Sequence, residues 1–344
     1  MSRLANAWYQ RAAWLYLLWP VAMLFRGLSF CRRKLQETDA AANKVPVVIV
    51  GNISVGGTGK TPIIMALSNH LKHHGIMPGV ISRGYGGKSN SYPLAVTAQS
   101  DSDVVGDEPK LIATTCDIPV VVDPDRCRAL NHLLTHHNVD VVLSDDGLQH
   151  YRLPRDYEIA VVDGKRLFGN AMTLPAGPLR EPLSRLRTVN CVIVNGAQVD
   201  ENAEAPIHPA LAKAVHMGLS PSQLRNLDSG ETRAFAGAPF QMGKRIQAVA
   251  AIGNPQRFFD LLEKLPYPIE SFAFPDHQKI SKDDLQKAGV DLSQPIVMTD
   301  KDAIKWPRGI TGNCWALSVD VKLPKEFLQN FLEQVQSLIQ QKKH

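Results

Sequence analysis

Apolar and polar positions along this chain fall into two successive patterns of alternation. In the first, short β-branched runs are separated by stretches of helical periodicity. Val47–Val50, Val80-Ile81, Val120–Val122, Val139–Leu143, Glu158–Val162 and Cys191–Val194 read as strands, and Pro62–His74, Gly106–Cys116 and Arg126–His136 as helices. Strands that are apolar throughout are buried on both faces, which predicts a mostly parallel sheet covered by helices. From 196 to 244 the chain is rich in Pro, Gly, Ala and polar residues and shows no clear period. The second alternation then begins, with strands at Ile246–Ile252, Phe272–Phe274, Ile296–Met298 and Trp315–Val319 and helices at Pro255–Leu265 and Ser281–Gly289, the latter capped by Ser281. Lys325–Lys342 predicts a closing amphipathic helix with Phe327, Phe331, Val335 and Leu338 on one face.

The first residues follow a different pattern. Ala12–Phe25 is an apolar run of 14 residues interrupted by Pro20, and Trp8, Tyr9, Trp14, Tyr16 and Trp19 crowd around it. A spanning helix needs about 20 apolar residues, so the run is too short by that count. Arg26 and then Cys31-Arg32-Arg33-Lys34 follow it where a signal peptide would place small residues and a cleavage site. The pattern predicts a helix lying in a membrane interface, with aromatic anchors and basic residues against anionic head groups. An ordinary helix docked on the domain is the alternative. The organisation expected is therefore an N-terminal membrane-interface helix (1–35), an α/β domain (36–200) and a second, smaller α/β domain (201–344).

Composition narrows the classes. A chain of 344 residues suits about two domains, and 44% apolar with 21% charged residues excludes wholesale disorder. There is no internal repeat of about 20–50 residues, so a solenoid or propeller is excluded. Five scattered cysteines without a CxxC pair give neither a disulfide framework nor a zinc site, and fit a reducing, cytoplasmic setting. The net charge of +5 suits a phosphate-bearing partner or an anionic membrane surface and does not by itself argue for nucleic acid. Six basic residues and no acidic one fall within the first 34.

Candidate chemistry starts after the first strand. Gly56-Gly57-Thr58-Gly59-Lys60-Thr61 lies between a strand and a helix, the context of a phosphate-binding P-loop. Glycines let the backbone N–H groups turn toward phosphate oxygens, Lys60 would reach the β/γ-phosphates of ATP, and Thr61 would hold Mg²⁺. Ser54 stands where the general pattern has its first glycine. Such a loop needs an acid at the end of a neighbouring strand, and Ser144-Asp145-Asp146 supplies two, followed by Gly147-Leu148-Gln149-His150. The fold class is thus a P-loop NTPase-like α/β sheet with a second α/β domain.

Further candidates lie on loops. Asp107 and Glu108 in Gly106–Pro109 open a helix, either as complements to its dipole or with one as the base that accepts a hydroxyl proton. His277 in Phe274–His277 follows a strand of the second domain. Arg83 in Ser82–Gly86 and Arg180 in Leu174–Pro182 are anion contacts or surface arginines. Thr299–Asp302 is similar to the base-reading TKxD element of GTPases, a weak match that leans to a structural or phosphate-proximal role.

Taken in order, GNISVGGTGKTP (Gly51–Pro62), SRGYG, GDEP, DDGLQH, LPAGPLREP, GNPQRFF, FPDH and TDKDA make the chain resemble the tetraacyldisaccharide 4′-kinase family, the lipid A 4′-kinases of Gram-negative bacteria. The likeness runs to about Ala303. It implies a peripheral enzyme on the cytoplasmic face of the inner membrane. The enzyme would transfer the γ-phosphate of ATP to the 4′-hydroxyl of a tetraacylated disaccharide 1-phosphate, giving lipid IVA. No nucleic acid or obligate protein partner is implied. By matching positions, Ser54, Gly56, Gly57, Thr58, Gly59, Lys60 and Thr61 form the nucleotide loop, and Asp145 and Asp146 take the Walker-B positions. Gln149 and His150 lie beside the metal. Asp107 becomes the base, with His277 its partner across the domain cleft. Arg83, His150 and Arg180 are then left for the substrate. Two other classes compete. A membrane-cycling P-loop ATPase switch would carry a lysine just before the paired glycines, where this chain has Val55. A soluble small-molecule kinase would have a merely docked N-terminal helix.

Overall fold

The computed structural model describes residues 3–37, 43–196, 211–238, 240–241, 244–307 and 309–343. The expected domain boundary near 200 lies outside the described residues. Helix α1 (Arg3–Gln10) leads through a 3₁₀ segment (Ala13–Leu18) into α2 (Trp19–Glu37). The first lobe then runs β1 (Val47–Gly51), α3 (Lys60–His73), β2 (Pro78–Ser82), β3 (Leu94–Val96), α4 (Ser102–Val105), α5 (Asp107–Cys116), β4 (Val120–Val122) and α6 (Arg126–His136). It continues through β5 (Val141–Asp145), β6 (Tyr157–Asp163) and β7 (Cys191–Asn195) to β8 (Val215–Asn226). The second lobe holds β9 (Thr232–Ala234), β10 (Ile246–Ala250), α7 (Pro255–Leu262), β11 (Ile269–Ala273) and α8 (Lys282–Lys287). After these come β12 (Ile296–Thr299), α9 (Asp300–Ala303), β13 (Cys314–Lys322) and α10 (Lys325–Lys343).

The strands form one path, β11-β10-β12-β13-β8-β7-β6-β1-β5-β2-β4-β3, with β9 paired to β8. Pairing is parallel throughout each lobe except at β3 on one edge and around β8. Val47–Gly51 are buried at every position, as an apolar strand covered on both faces must be. The two faces of the first-lobe sheet carry separate cores, one around Ile63, Ile64, Leu67 and Ile112 and one around Ile49, Leu130, Leu133 and Leu148.

Two features depart from what periodicity predicts. The first is β8, a 12-residue strand inside the segment without a period. Its start pairs in parallel with β7 and its remainder pairs antiparallel with β13, so one strand belongs to both lobes. Gly218 and Pro221 break the apolar pattern there. The missing N–H of Pro221 is tolerated because the register shifts opposite it, between Ser318 and Val319. The second is α10. Although last in order, it packs Phe327, Phe331, Leu332 and Val335 into the core of the first lobe beside Val48 and Ile193. Phe331 meets the Tyr157 ring edge-on at 5.8 Å, and Lys342 Nζ lies 2.8 Å from Asp156 Oδ1.

The N-terminal segment corrects the length argument. Residues Ala13–Glu37 form a continuous helical stretch of 25 residues, long and apolar enough to cross a membrane by length and composition, with 11% of its apolar window buried. Two things hid this in the sequence. Pro20 falls in the first turn of α2, where a missing N–H is tolerated, and Arg26 interrupts the apolar run without ending the helix. Leu15 and Ala22 face the protein, while Leu17, Trp19, Leu24, Leu28 and Phe30 are exposed.

Removing the Phe331 side chain leaves a cavity where α10 meets the sheet. The Phe331→Ala variant is expected to lose about 3–5 kcal/mol of stability, read from the midpoint of chemical unfolding followed by circular dichroism.

Candidate active site

The site is built where β1, β2 and β5 end. After β1 the chain turns through residues 52–59 into α3. Gly59 caps that helix with a left-handed φ of 89°. The Asn195 side chain occupies the space a Cβ would need there, and its Nδ2 donates to Thr58 O at 2.8 Å. The loop is braced by the Leu174–Pro182 segment, through Val55 N donating to Pro178 O at 2.8 Å and Arg180 N to Ile53 O at 2.7 Å. That segment in turn receives the N-terminal helices. Trp8 Nε1 donates to Pro175 O at 3.0 Å, and Thr173 Oγ1 donates to Ala22 O at 3.3 Å.

Asp145 ends β5, and Asp146 follows with a φ of 50°, a left-handed conformation that costs a non-glycine residue free energy and is typical of functional turns. Asp145 Oδ2 accepts from Ser82 Oγ at 3.0 Å, while among the described residues its buried Oδ1 has no hydrogen-bond partner. Burial, then the neighbouring charges of Glu108 and Asp146, push the Asp145 carboxyl well above the usual range. Burial would raise Asp146 too, but Lys60 at 3.4 Å and Arg180 at 2.8 Å hold it down at about 2. A divalent cation would relieve this crowding of carboxylates. Two carboxylates and the hydroxyl of nearby Thr61 are hard oxygen donors that fit Mg²⁺. Thr58 Oγ1 is likewise buried without a partner among the described residues.

Asp107 opens α5 on the opposite wall. Gly106 before it has a φ of 90°, and a Cβ there would meet Tyr85 O at 2.7 Å, so glycine is what lets the Ser82–Gly86 loop pack against this helix start. From the second lobe, His277 approaches with its own left-handed φ of 63°. Its Nδ1 lies 3.1 Å from Asp107 Oδ2, a donor to a carboxylate. Burial of Asp107 is outweighed by His277, Lys305 and Lys301, and its carboxyl sits below the usual range. Gly253 Cα stands over the P-loop, and Arg166 Nη2 donates to Gly253 O at 3.2 Å.

A cleft of about 1040 Å³ is lined by Lys60, Arg83, Glu108, Arg126, Asp145, Asp146, Gln149, His150, Arg180, His277 and Lys301, and Asp107 lies behind its lining residues Glu108 and His277. Phe25, Arg26, Ser29, Phe30, Arg32 and Arg33 of α2 form its remaining wall. Arg33 also stacks over the Tyr151 ring at 4.9 Å, and Tyr151 OH donates to Glu181.

Several expected residues take specific positions. Gln149 turns its Nε2 to Asn52 O at 3.0 Å and Glu181 Oε1 at 2.7 Å, and its Oε1 toward Arg180 at 3.4 Å, so its amide orders the loop behind Asp146. Arg180 is committed to Asp146. Arg83 is exposed at the cleft. His150 is pushed down to about 4 by burial and by Arg126, Arg155 and Arg152. Asp125, Cys127 and His150 bring three donor atoms within 4.8 Å of one another, but those arginines make a field suited to an anion rather than a cation.

Sequence reasoning missed Arg126, a buried arginine whose Nη2 donates to Asp145 O at 3.3 Å, and Lys305, whose Nζ lies 3.1 Å from Asp107 Oδ2. It also undervalued Glu108 and Lys301, which pair at 2.9 Å across the cleft. The Asp300–Ala303 run was the visible signal for Lys301. Nothing in the spacing marked Arg126 or Lys305.

The comparisons with known proteins agree with this geometry. The family model described as tetraacyldisaccharide-1-P 4′-kinase matches residues 14–336. A tetraacyldisaccharide 4′-kinase from Psychromonas ingrahamii is 44% identical over 336 residues, covering 96% of this chain and 98% of the relative. One from Pseudomonas fluorescens is 43% identical, covering 98% and 97%. The crystal structure of LpxK from Aquifex aeolicus in complex with ATP superposes with a TM-score of 0.74 at 26% identity, covering 94% of this chain and 99% of that one. The chain belongs to the tetraacyldisaccharide-1-phosphate 4′-kinase family, whose members are phosphotransferases with an alcohol acceptor.

Proposed function

We propose that the chain transfers the γ-phosphate of ATP to the 4′-hydroxyl of an acylated disaccharide 1-phosphate held at the cytoplasmic face of the inner membrane. The observation that carries this is that Lys60 of the P-loop, His277 and the wall of α2 line one cleft, with Asp107 held 3.1 Å from His277 Nδ1. The loop at Ser54–Thr61 would cradle the phosphates, with Lys60 moving from Asp146 onto the β/γ-phosphates. Thr61, Asp145 and Asp146 would hold Mg²⁺, which neutralises phosphate charge when bound. Asp107 accepts the proton of the 4′-hydroxyl as that oxygen bonds to the γ-phosphorus and the bond to the ADP oxygen breaks. His277 orients the carboxylate. Arg83, His150 and Arg126 face the same space, and the positive field of the two arginines, with neutral His150 beside them, suits the acceptor's own phosphate.

The membrane reading rests on α2. An acceptor with acyl chains stays in the bilayer, so the site must come to it. Exposed Leu17, Leu24, Leu28 and Phe30 offer an apolar surface, and Arg26, Arg32 and Arg33 supply charge against anionic head groups on the same helix. With 25 helical residues the segment is long enough to insert deeply as well as to lie flat.

The direct assay uses purified protein, labelled ATP and a lipid disaccharide 1-phosphate. Label is expected on the sugar at the 4′ position, and label released only as inorganic phosphate would refute the kinase reading. Asp107→Asn should lower kcat by about 10²–10⁴-fold with ATP binding intact, measured at saturating substrates. Leu17→Asn with Leu24→Asn should weaken flotation with anionic vesicles by about 3–6 kcal/mol, if both side chains enter the lipid, while leaving the unfolding midpoint unchanged. Unchanged flotation would remove α2 as the membrane contact.

A further inference from the structure

Lys305 is buried on all sides, its side chain 5% exposed. It follows α9, and its place is fixed from below: Thr299 Oγ1 donates to Asp302 Oδ2 at 2.7 Å, Ala251 N donates to the same oxygen at 3.2 Å, and Lys305 N donates to Asp302 O at 3.1 Å. A buried ammonium is costly unless it meets a compensating charge. Two carboxylates face it, Asp302 at 4.0 Å within its own turn and Asp107 at 3.1 Å in the other lobe. The nearer partner is the one across the cleft.

The atom it meets is informative. Lys305 Nζ and His277 Nδ1 each lie 3.1 Å from the same oxygen, Asp107 Oδ2. Among the described residues no hydrogen bond reaches Asp107 Oδ1. The remaining charged groups around the carboxylate are Lys301, held by Glu108 at 2.9 Å, and Asp276, 3.8 Å from His277 Nε2. The His277 contact meets hydrogen-bond geometry and the Lys305 contact is an ion pair, and both come from the second lobe.

We propose that Lys305 is a positioning residue for phosphoryl transfer, which the second lobe delivers on closure to clamp Asp107 Oδ2 together with His277 and leave Oδ1 to receive the hydroxyl proton. This rests on Asp107 being the base. The clamp keeps Asp107 ionised and fixed in rotation, at the cost of intrinsic basicity. That exchange suits a loose transition state, in which positioning and charge matter more than proton affinity. It also means that the base is fully assembled only when the lobes are together.

The test is Lys305→Met and Lys305→Arg, each in the wild-type and the Asp107→Asn background, with kcat and both KM values measured from acid to neutral pH in vesicles or detergent. Loss of a cation beside a carboxylate raises that carboxylate's pKa, so base function is lost at higher pH than in the wild type. Lys305→Met is therefore expected to lower kcat by about tenfold or more, most strongly at the acid end, with its acid limb moved to higher pH and both KM values unchanged. Lys305→Arg is expected to restore most of kcat. In the Asp107→Asn background Lys305→Met should cost nothing further, since the two act as a unit. An equal loss at every pH, or an additive loss in the Asp107→Asn background, would overturn the proposal and leave Lys305 a structural latch. Asp107→Asn alone retaining full kcat would instead overturn the base reading on which it stands. Matching unfolding midpoints for the wild type and Lys305→Met show that the kinetic change is not misfolding.

Discussion

Carboxylates gathered in a closed cleft repel one another and lose their water, and this structure is organised around compensating them. Glu108, Asp145 and Asp146 line one space with Asp107 beside Glu108, and most of the cations that answer them arrive from elsewhere in the chain. Lys60 and Arg180 hold Asp146 from the first lobe, while Lys301, Lys305 and His277 hold Glu108 and Asp107 from the second. The lobes are therefore joined at the site by charge that neither could keep buried alone. Farther out, Arg257 meets buried Asn195 and Asp163, and the exposed Lys165–Asp260 pair repeats the arrangement with a smaller contribution. Joining the lobes this way keeps water from the phosphoryl group while leaving the interface dependent on salts and substrates.

The N-terminal helices reach the same chemistry by a short route. Trp8 and Ala22 hydrogen-bond the Leu174–Pro182 segment, and that segment hydrogen-bonds the P-loop through Pro178 and Ile53. Arg33 and Tyr151 extend the path to Glu181 and Gln149. The apolar N-terminal helix is thus tied by a short chain of hydrogen bonds to the P-loop, so a displacement of that helix would be passed to the loop.

Most of the sheet was legible in the sequence because its strands are apolar without interruption and its helices carry clear periods. Strand β8 was not legible, since Gly218 and Pro221 erase any alternation and its partners lie on both sides of the molecule. The length of the N-terminal helix was underestimated because counting uninterrupted apolar residues ignores that one arginine can sit on an exposed face. The candidates Lys60, Asp145, Asp146 and His277 stand in compact motifs, and the structure brings them to one cleft. Arg126 and Lys305 were not legible, since each makes its contact with residues distant in sequence, and an isolated basic residue carries no spacing signature. Gln149 and Arg180 bond to each other, and Arg180 to Asp146, contacts that no spacing displays.

The position of α10 has a consequence for how the chain is made. Its Phe331 and Val335 complete a core whose other walls, β1, α3 and β7, are synthesised far earlier. On the ribosome the nucleotide-binding lobe must wait, with part of its sheet uncovered, until the whole second lobe has been translated and the final helix can dock. The apolar helices α1 and α2 are made before this lobe and α10 after the second one, so the core of the nucleotide-binding lobe closes only once both lobes have been translated.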